Sequence, residues 1–220
     1  MIGAVVLAAG QSRRMGRNKM LLPYGVSTVL ETIVTEVAAC PAVADVVVVT
    51  GHEADRIVTL LAAYPVRCVF NPAYVRAEML VSLQTGLRAF SADTRAALVV
   101  PGDHPRLQRD VVQRVIDAYR PGALVIPSYQ MKRGHPILID RAWWDELLRL
   151  PETSTLRDFI RAREDHIQYV VVDTDSILKD LDTPEEYQSL RTAEAQSAQR
   201  NISSRQSLEE RAQELKHDDQ

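Results

Sequence analysis

A chain of 220 residues, 46% of them hydrophobic and with a formal net charge of −3, has the size and composition of one α/β domain with a short appendage. That charge excludes a domain-wide basic face for nucleic acid. The longest apolar runs are too short to span a bilayer, and Cys40 and Cys68 form no CxxC pattern for zinc or a disulfide framework.

In chain order, residues 2–8 (IGAVVLA) read as a first buried strand. With no basic n-region ahead of it, this start is not a signal peptide, and the expected location is cytoplasmic. Residues 28–40 place Leu30, Ile33, Val34 and Val37 at helical spacing, with Thr28 and Glu31 spaced as a capping box and Pro41 just beyond. DVVVVTG (45–51) is continuously apolar, as strands buried on both faces are. A helix at about 53–63, a strand at 66–70, a helix at about 80–90 and a strand at 96–103 follow. Then come a helix at 108–119 and a strand at 123–129, and Cys68 is expected as a small core residue. This alternation predicts an α/β fold, a three-layer α/β/α arrangement with a mostly parallel sheet and helices on both faces.

Beyond residue 130 the rhythm changes. A strand is expected at 131–140, short helices at 143–150 and 154–165, a strand at 167–173, and a helix opening at DTPEEYQSL with Pro184 in its first turn. Trp143 and Trp144 read as core or rim, and Asp173 and Asp175 as turn residues. From about residue 192 the chain is rich in Gln, Ser, Glu and Arg. This predicts a polar tail over 193–220, mobile or loosely helical, with only Leu208 and Leu215 as apolar anchors.

The loop after the first strand, SRRMGRNK, carries Arg13, Arg14, Arg17 and Lys19 within seven residues and no acid. Neither GxGxxG nor GxxxxGK[ST] fits, because Gly10 and Gly16 are six apart and Lys19 follows the second by three. The chemistry is still suited to phosphate: small residues let backbone N–H groups approach, and Arg and Lys supply countercharge. Spacing alone leaves a solvated basic loop open as the alternative, but strand ends of open sheets are where ligands sit.

LAAGQSRRMGRNKMLLPYG (7–25) resembles the signature of the MobA-like molybdenum cofactor nucleotidyltransferases. Leu7, Ala8, Ala9, Gly10, Ser12, Arg14, Met15, Gly16, Lys19, Leu22, Pro23 and Gly25 all fit it. The likeness continues through NPAYVRAEMLVSLQTGL (71–87), VPGDHPRL (100–107), RGHPILI (133–139) and LDTPEEY (181–187), and so covers about residues 1–190. It implies a GT-A-like fold of the nucleotide-diphospho-sugar transferase type. It also implies one nucleotidyltransferase domain over 1–192, with an NTP-binding half at about 1–107 and an acceptor half at about 108–192.

The activity implied is nucleotidyl transfer: a phosphate monoester attacks the α-phosphorus of an NTP and pyrophosphate leaves. The implied nucleotide site comprises Leu7, Ala8, Ala9, Gly10, Ser12, Arg14, Met15, Gly16, Lys19, Asn71, Ser82, Pro101 and Gly102, with Lys19, Arg14 and Asp103 catalytic. Asp103, after the strand ALVVPG, would by itself be a turn residue as readily as a ligand, and Asp182 by itself a helix cap. Matched jointly to the family motifs, they are expected to bind Mg²⁺, with Mn²⁺ as the alternative. His104 and His135 are expected toward the acceptor, His104 also fitting a simple turn cap.

The second alanine of LAAG accompanies cytidine use in this family, so Ala9 points to CTP and to the cytidylyltransferase branch. The implied acceptor is a phosphorylated small molecule, molybdopterin foremost, and the implied protein partner a molybdoenzyme or its maturation factor. Two departures weaken the acceptor assignment: Ala77-Glu78 replaces the family glycine, and ETSTLRD (152–158) replaces GDxGAR. A sugar or polyol phosphate acceptor, or a non-catalytic nucleotide-binding accessory role, are the competing readings.

Overall fold

The computed structural model describes residues 1–75 and 79–192. The Ala77-Glu78 departure and the tail with Leu208 and Leu215 lie outside them. The chain divides into two compact units, Met1–Asp182 and a second from Thr183 onward.

The first unit is built on an eight-stranded sheet. Its strands are β1 (Ile2–Ala8), β4 (Val43–Thr50), β5 (Arg67–Phe70), β6 (Ala96–Pro101), β7 (Leu124–Tyr129), β8 (Lys132–Arg133), β9 (Ile137–Asp140) and β10 (Ile167–Val171). A separate two-stranded ladder joins β2 (Pro23–Tyr24) to β3 (Ser27–Thr28). The order across the large sheet is β10-β7-β9-β6-β1-β4-β5, with β8 paired to β7. β1 is parallel to β4 and β6, β4 to β5, and β10 to β7, whereas β9 is antiparallel to both β6 and β7. The expected mostly parallel sheet is present, with β9 reversed inside it and the short β8 also antiparallel to β7.

Period-two alternation sends neighbouring side chains to opposite faces. Val5 and Leu7 of β1 with Val47 and Val49 of β4 pack under α3 (Met79–Arg88), together with Trp144 and Leu147 of α5 (Trp144–Arg149) and Phe159 and Ile160 of α6 (Leu156–Arg161). Their neighbours Ala4, Val6, Val46 and Val48 are equally buried, and α1 (Val29–Ala38) packs on β1 and β4. α4 (Arg109–Asp117) lies on β7 and β9 and touches α1. The short α2 (Ala54–Leu60) packs on β4.

α1 begins at the capping box read from the sequence: Glu31 N donates to Thr28 Oγ1 (3.3 Å) and Thr28 N to Glu31 Oε2 (2.8 Å). The expected strand over 131–140 is instead two. Gly134 presses against the Ile177 carbonyl, where a Cβ would lie 2.4 Å from that oxygen, and Pro136 has no N–H for a ladder. Cys68 is half-buried on β5, which lies at the sheet edge, so it is not a core residue as expected. Trp144 is in the core, and Trp143 Nε1 donates to the Gly122 carbonyl (2.9 Å). Asp173 pairs with Arg114 and Asp175 with Lys179. In the second unit, residues 184–192 are helical, and Thr183 and Glu186 form a reciprocal cap (2.9 and 3.2 Å). No helix among the described residues is long and apolar enough to cross a membrane.

α3 meets the sheet at Gly86. A Cβ there would sit 2.4 Å from Val5 Cγ1 and 3.0 Å from Val49 Cγ2, both on fully buried side chains. Gly86→Ala should therefore destabilise the protein by about 1–3 kcal/mol through overpacking, despite the better helix propensity of alanine. Urea unfolding measures it, and an alanine variant as stable as wild type would show that α3 can lift from the sheet at no cost.

Candidate active site

β1, β4 and β6 end at the same edge of the sheet, with Ala8 beside Thr50 and Leu7 beside Pro101. The chain beyond each strand is held close to β1. Gly102 N donates to the Leu7 carbonyl (3.0 Å) and His52 N to the Ala9 carbonyl (3.2 Å). A Cβ on Gly102 would lie 2.7 Å from the Leu7 oxygen, so only glycine permits this approach.

The basic loop then folds on itself. Arg13–Met15 and Lys19–Leu21 are single 3₁₀ turns, and Ser12 precedes the first in a left-handed conformation (φ 49°). Its carbonyl accepts from Met15 N (2.9 Å) and its Oγ from Lys19 N (3.1 Å). Asn18 Oδ1 accepts from Met20 N (3.1 Å), while Asn18 Nδ2 donates to the His52 carbonyl (3.2 Å). Lys19 is thus fixed by hydrogen bonds on both sides of its Cα, and its side chain is directed inward.

The Lys19 ammonium joins the two carboxylates singled out from the sequence, lying 2.6 Å from Asp103 Oδ2 and 2.8 Å from Asp182 Oδ1. Arg14 pairs with the other oxygen of Asp182. Burial works against the Lys19 charge, but Asp103 and then Asp182 outweigh it, so the ammonium holds its proton above the usual lysine range. Burial also pushes Asp182 up, yet Lys19 and Arg14 hold its carboxyl below the usual range. In the second unit, Thr183 Oγ1 caps the helix that follows by accepting from Glu186 N. Two converging carboxylates, each about a quarter or less exposed, fit a hard divalent cation. Mg²⁺ takes one or two carboxylates and completes its shell with water and phosphate oxygens.

Beside this cluster is a cavity of about 330 Å³. Asp103, Asp182 and Lys19 line it together with Ser12, Arg13 and Arg14, and its wall includes Leu7, Ala9, Gly10, Tyr74, Met79, Ser82 and Pro101. Gly10 has open space around its Cα, so its lack of a side chain leaves room for a ligand and does not relieve a backbone strain. Ala8 and Met15 are buried in support of the loop, and Gly16 turns it at φ 65°. Asn71 and Gly102 are buried outside the wall, Asn71 donating to Ser82 Oγ (3.0 Å). Tyr74 and Met79 line the cavity without having been singled out in the sequence, and Arg13, read there only as part of the cationic loop, lines it too.

A second cavity, about 570 Å³, shares Met79 with the first and is lined by Arg133, His135, Thr155, Arg157 and Asp158. Three of these come from the ETSTLRD segment, where the chain departs from the family pattern. His104 stacks edge-on against His135 at 5.5 Å, and its Nε2 is 3.8 Å from Asp103 Oδ1. The His104 imidazole caps no turn among the described residues. Burial pushes His104 down. It pushes His135 down to about 4, with the neighbouring His104 adding to the effect.

Residues 4–167 match the MobA-like NTP transferase domain. The chain is 27% identical to the molybdenum cofactor cytidylyltransferase of Escherichia coli K12 over 187 residues, covering 84% of this chain and 93% of that one. It is 28% identical to a protein named nicotine blue oxidoreductase from Paenarthrobacter nicotinovorans, over 84% of this chain and 94% of that one. Among solved structures, a nucleotidyl transferase from Methanothermobacter superposes with a TM-score of 0.77 at 25% identity, over 90% of this chain and 99% of that one. Rv0371C from Mycobacterium tuberculosis H37Rv, solved in complex with manganese, superposes at 0.72 with 25% identity, over 86% and 97%. The fold is that of the Methanothermobacter nucleotidyl transferase, as the resemblance implied.

The histidine pair sets a pH dependence. His135 in the folded chain takes its proton near 4, below the 6.5 of the unfolded chain. The unfolded state therefore binds more protons between those values, and stability is full above about 6.5 and lost as pH falls toward 4. Metal-free protein should lose about 2 kcal/mol across that window, less than the full linkage because some solvent contact remains. His135→Gln should flatten the profile measured by urea unfolding at each pH. An unchanged slope would assign the loss to other groups.

Proposed function

The chain belongs to the MobA-like NTP transferase family, and we propose that it is a metal-dependent cytidylyltransferase. In this reading it moves CMP from CTP to a phosphorylated small molecule, molybdopterin or a close relative, and releases pyrophosphate. The observation that carries the proposal is the convergence of Lys19, Asp103 and Asp182 on a cavity that Arg13, Arg14 and apolar side chains also line.

The residues divide the work. A phosphate monoester has its second pKa at about 6, so the acceptor is already an anionic nucleophile at neutral pH and needs no general base. Its oxygen bonds to the α-phosphorus while the bond to the β-phosphate oxygen breaks, and the electron pair leaves with pyrophosphate. Lys19, kept protonated by its carboxylate neighbours, serves as a fixed positive charge, with Arg14 and Arg13 beside it for the triphosphate. Asp103 and Asp182 would hold Mg²⁺ or Mn²⁺, which when bound screens the triphosphate charge. The manganese bound in the Mycobacterium relative supports a divalent ion of that class. Ala9 and Ser82 lie where the base would be read, with Ala9 favouring cytosine. The second cavity, with Arg133, His135 and Arg157, suits an anionic acceptor.

The carboxylate–lysine cluster favours phosphoryl chemistry over the redox reaction in the Paenarthrobacter relative's name, and an enzyme over a passive nucleotide carrier. A sugar or polyol phosphate is the second acceptor class, favoured by the ETSTLRD departure lining the second cavity. A molybdoenzyme or its maturation factor would receive the product, and the reaction belongs in the cytoplasm.

An acceptor screen with each NTP, following pyrophosphate release, tests the reading. CTP should be used at least tenfold more efficiently than GTP, the order of magnitude of one misplaced buried hydrogen bond. Ala9→Gly should relax that preference without inverting it. A GTP-dominated product would remove the cytidine assignment and leave transfer standing. Asp103→Asn and Asp182→Asn should each lower turnover by about 100-fold or more at saturating Mg²⁺ while leaving the melting temperature close to wild type. Near-normal rates in both would remove them from the metal site. Lys19→Ala should weaken CTP far more than cytidine, and equal losses would place Lys19 away from the phosphates.

A further inference from the structure

Lys19 stands in the interval that an ion shared by Asp103 and Asp182 would need. Its ammonium lies 2.6 Å from Asp103 Oδ2 and 2.8 Å from Asp182 Oδ1, and Arg14 pairs with the second oxygen of Asp182. Mg²⁺ holds carboxylate oxygens at about 2.0–2.1 Å, so an ion bridging those two oxygens would fall against the ammonium. Two cations cannot share that space. The charges around it are already matched as well. Lys19 and Arg14 stand against the two carboxylates, Arg13 lines the same cavity, and His104 Nε2 is 3.8 Å from Asp103 Oδ1. A divalent ion entering alone would add two positive charges that none of these groups offsets.

The backbone of Lys19 cannot follow a displaced side chain. Its N donates to Ser12 Oγ (3.1 Å) and its carbonyl accepts from Leu22 N (3.2 Å). The preceding Asn18 is tied through its side chain to Met20 N and the His52 carbonyl. Only the flexible four-carbon stem can swing. With 11% of its side chain exposed, Lys19 is too enclosed for solvent to compensate its charge once it leaves the carboxylates. The ammonium then needs another anion within reach of its stem, and the space it can reach is the cavity lined by Ser12, Arg13 and Gly10.

We infer that Lys19 is an internal counter-ion of the carboxylate pair, and that a divalent cation takes its place when phosphate oxygens arrive to receive the ammonium. The inference rests on the nucleotidyl-transfer reading and deepens it: the ligand recognised is a metal–triphosphate complex, not a metal followed by a nucleotide. A triphosphate carries negative charge to offset both the ion and the released ammonium, and its oxygens help complete the ion's shell. Metal and phosphate binding are coupled through one side chain, and each strengthens the other by the same factor.

Mn²⁺ binding to the full chain, followed by electron paramagnetic resonance with the metal alone, reads the counter-ion role. Lys19→Met keeps a stem of similar length and removes the charge. It should bind Mn²⁺ at least about tenfold tighter than wild type, the order of one charge-assisted hydrogen bond. A substitution that merely loosened the loop would weaken the metal instead. Adding Asp103→Asn to Lys19→Met should abolish the gain, and a gain that persists there places the metal elsewhere and overturns the inference. So does Lys19→Met that binds Mn²⁺ no tighter than wild type.

Wild-type protein gives a second measurement, independent of whether Lys19→Met folds. An amine-directed reagent is applied, and labelling at Lys19 is read by peptide mass spectrometry against the exposed Lys132. Lys19 should label slowly without metal, faster as Mg²⁺ is raised until the rate is constant, and slowly again once inorganic tripolyphosphate is added. A rate that Mg²⁺ leaves unchanged overturns the exchange, and one that tripolyphosphate does not slow overturns phosphate as the receiver. Failure of the underlying reading looks different. Mn²⁺ affinity that survives Asp103→Asn and Asp182→Asn together removes the pair from the metal site, and wild-type protein that does not bind Mg²⁺–tripolyphosphate sinks nucleotidyl transfer.

Discussion

β1 runs between β4 and β6, parallel to both, and from Ala4 to Ala8 its side chains are almost completely buried. A strand in that position has its backbone groups committed on both sides and its side chains committed on both faces, so it cannot shift register without exposing apolar surface. Its carboxyl end is therefore a fixed origin for the loop that follows, and the chain beyond β4 and β6 returns to that same end through Ala9 and Leu7. The site inherits its rigidity from this pairing. The loop itself is short of regular structure, with two single turns and one left-handed serine, and would be a poor platform if its root could move.

On that root the charges are arranged in balance. Two cations, Lys19 and Arg14, meet two carboxylates, Asp103 and Asp182, and Lys19 is shared between them. Because Lys19 is shared, the loss of one carboxylate leaves its charge compensated by the other, and Arg14, largely exposed, is compensated by solvent. The arrangement also suits chemistry in which both reactants are anions: the ammonium is available to phosphate oxygens whenever a second cation takes over the carboxylates.

The order of strands and helices was legible because buried parallel strands write themselves as continuous valine runs, such as 46–49, and because Thr28 and Glu31 announce a helix start. The reversal of β9 was not. Antiparallel and parallel pairing use the same side-chain alternation, and nothing local in ILID shows which neighbour it joins. Lys19, Asp103 and Asp182 were legible as a set only through the motif resemblance, since a carboxylate after a strand or before a helix has commoner roles in isolation. The structure adds that Thr183 caps the helix that follows. Tyr74 and Met79 were hidden for another reason. They depend on which side chain faces the cavity, and that is a property of the folded chain.

Lys19 and Asp182 are 163 residues apart. During synthesis the cationic loop leaves the ribosome long before its carboxylate partner, and Arg13, Arg14, Arg17 and Lys19 must wait through nearly the whole domain without Asp182. Domains fold as units while the chain is made from its N-terminus, and closing so long a loop is repaid only when the intervening layers are in place. A nascent chain stopped before residue 182 can have its central strands paired and its cationic loop present, yet still carry an excess of positive charge at the strand ends. Completion of the site is in this way tied to completion of the polypeptide.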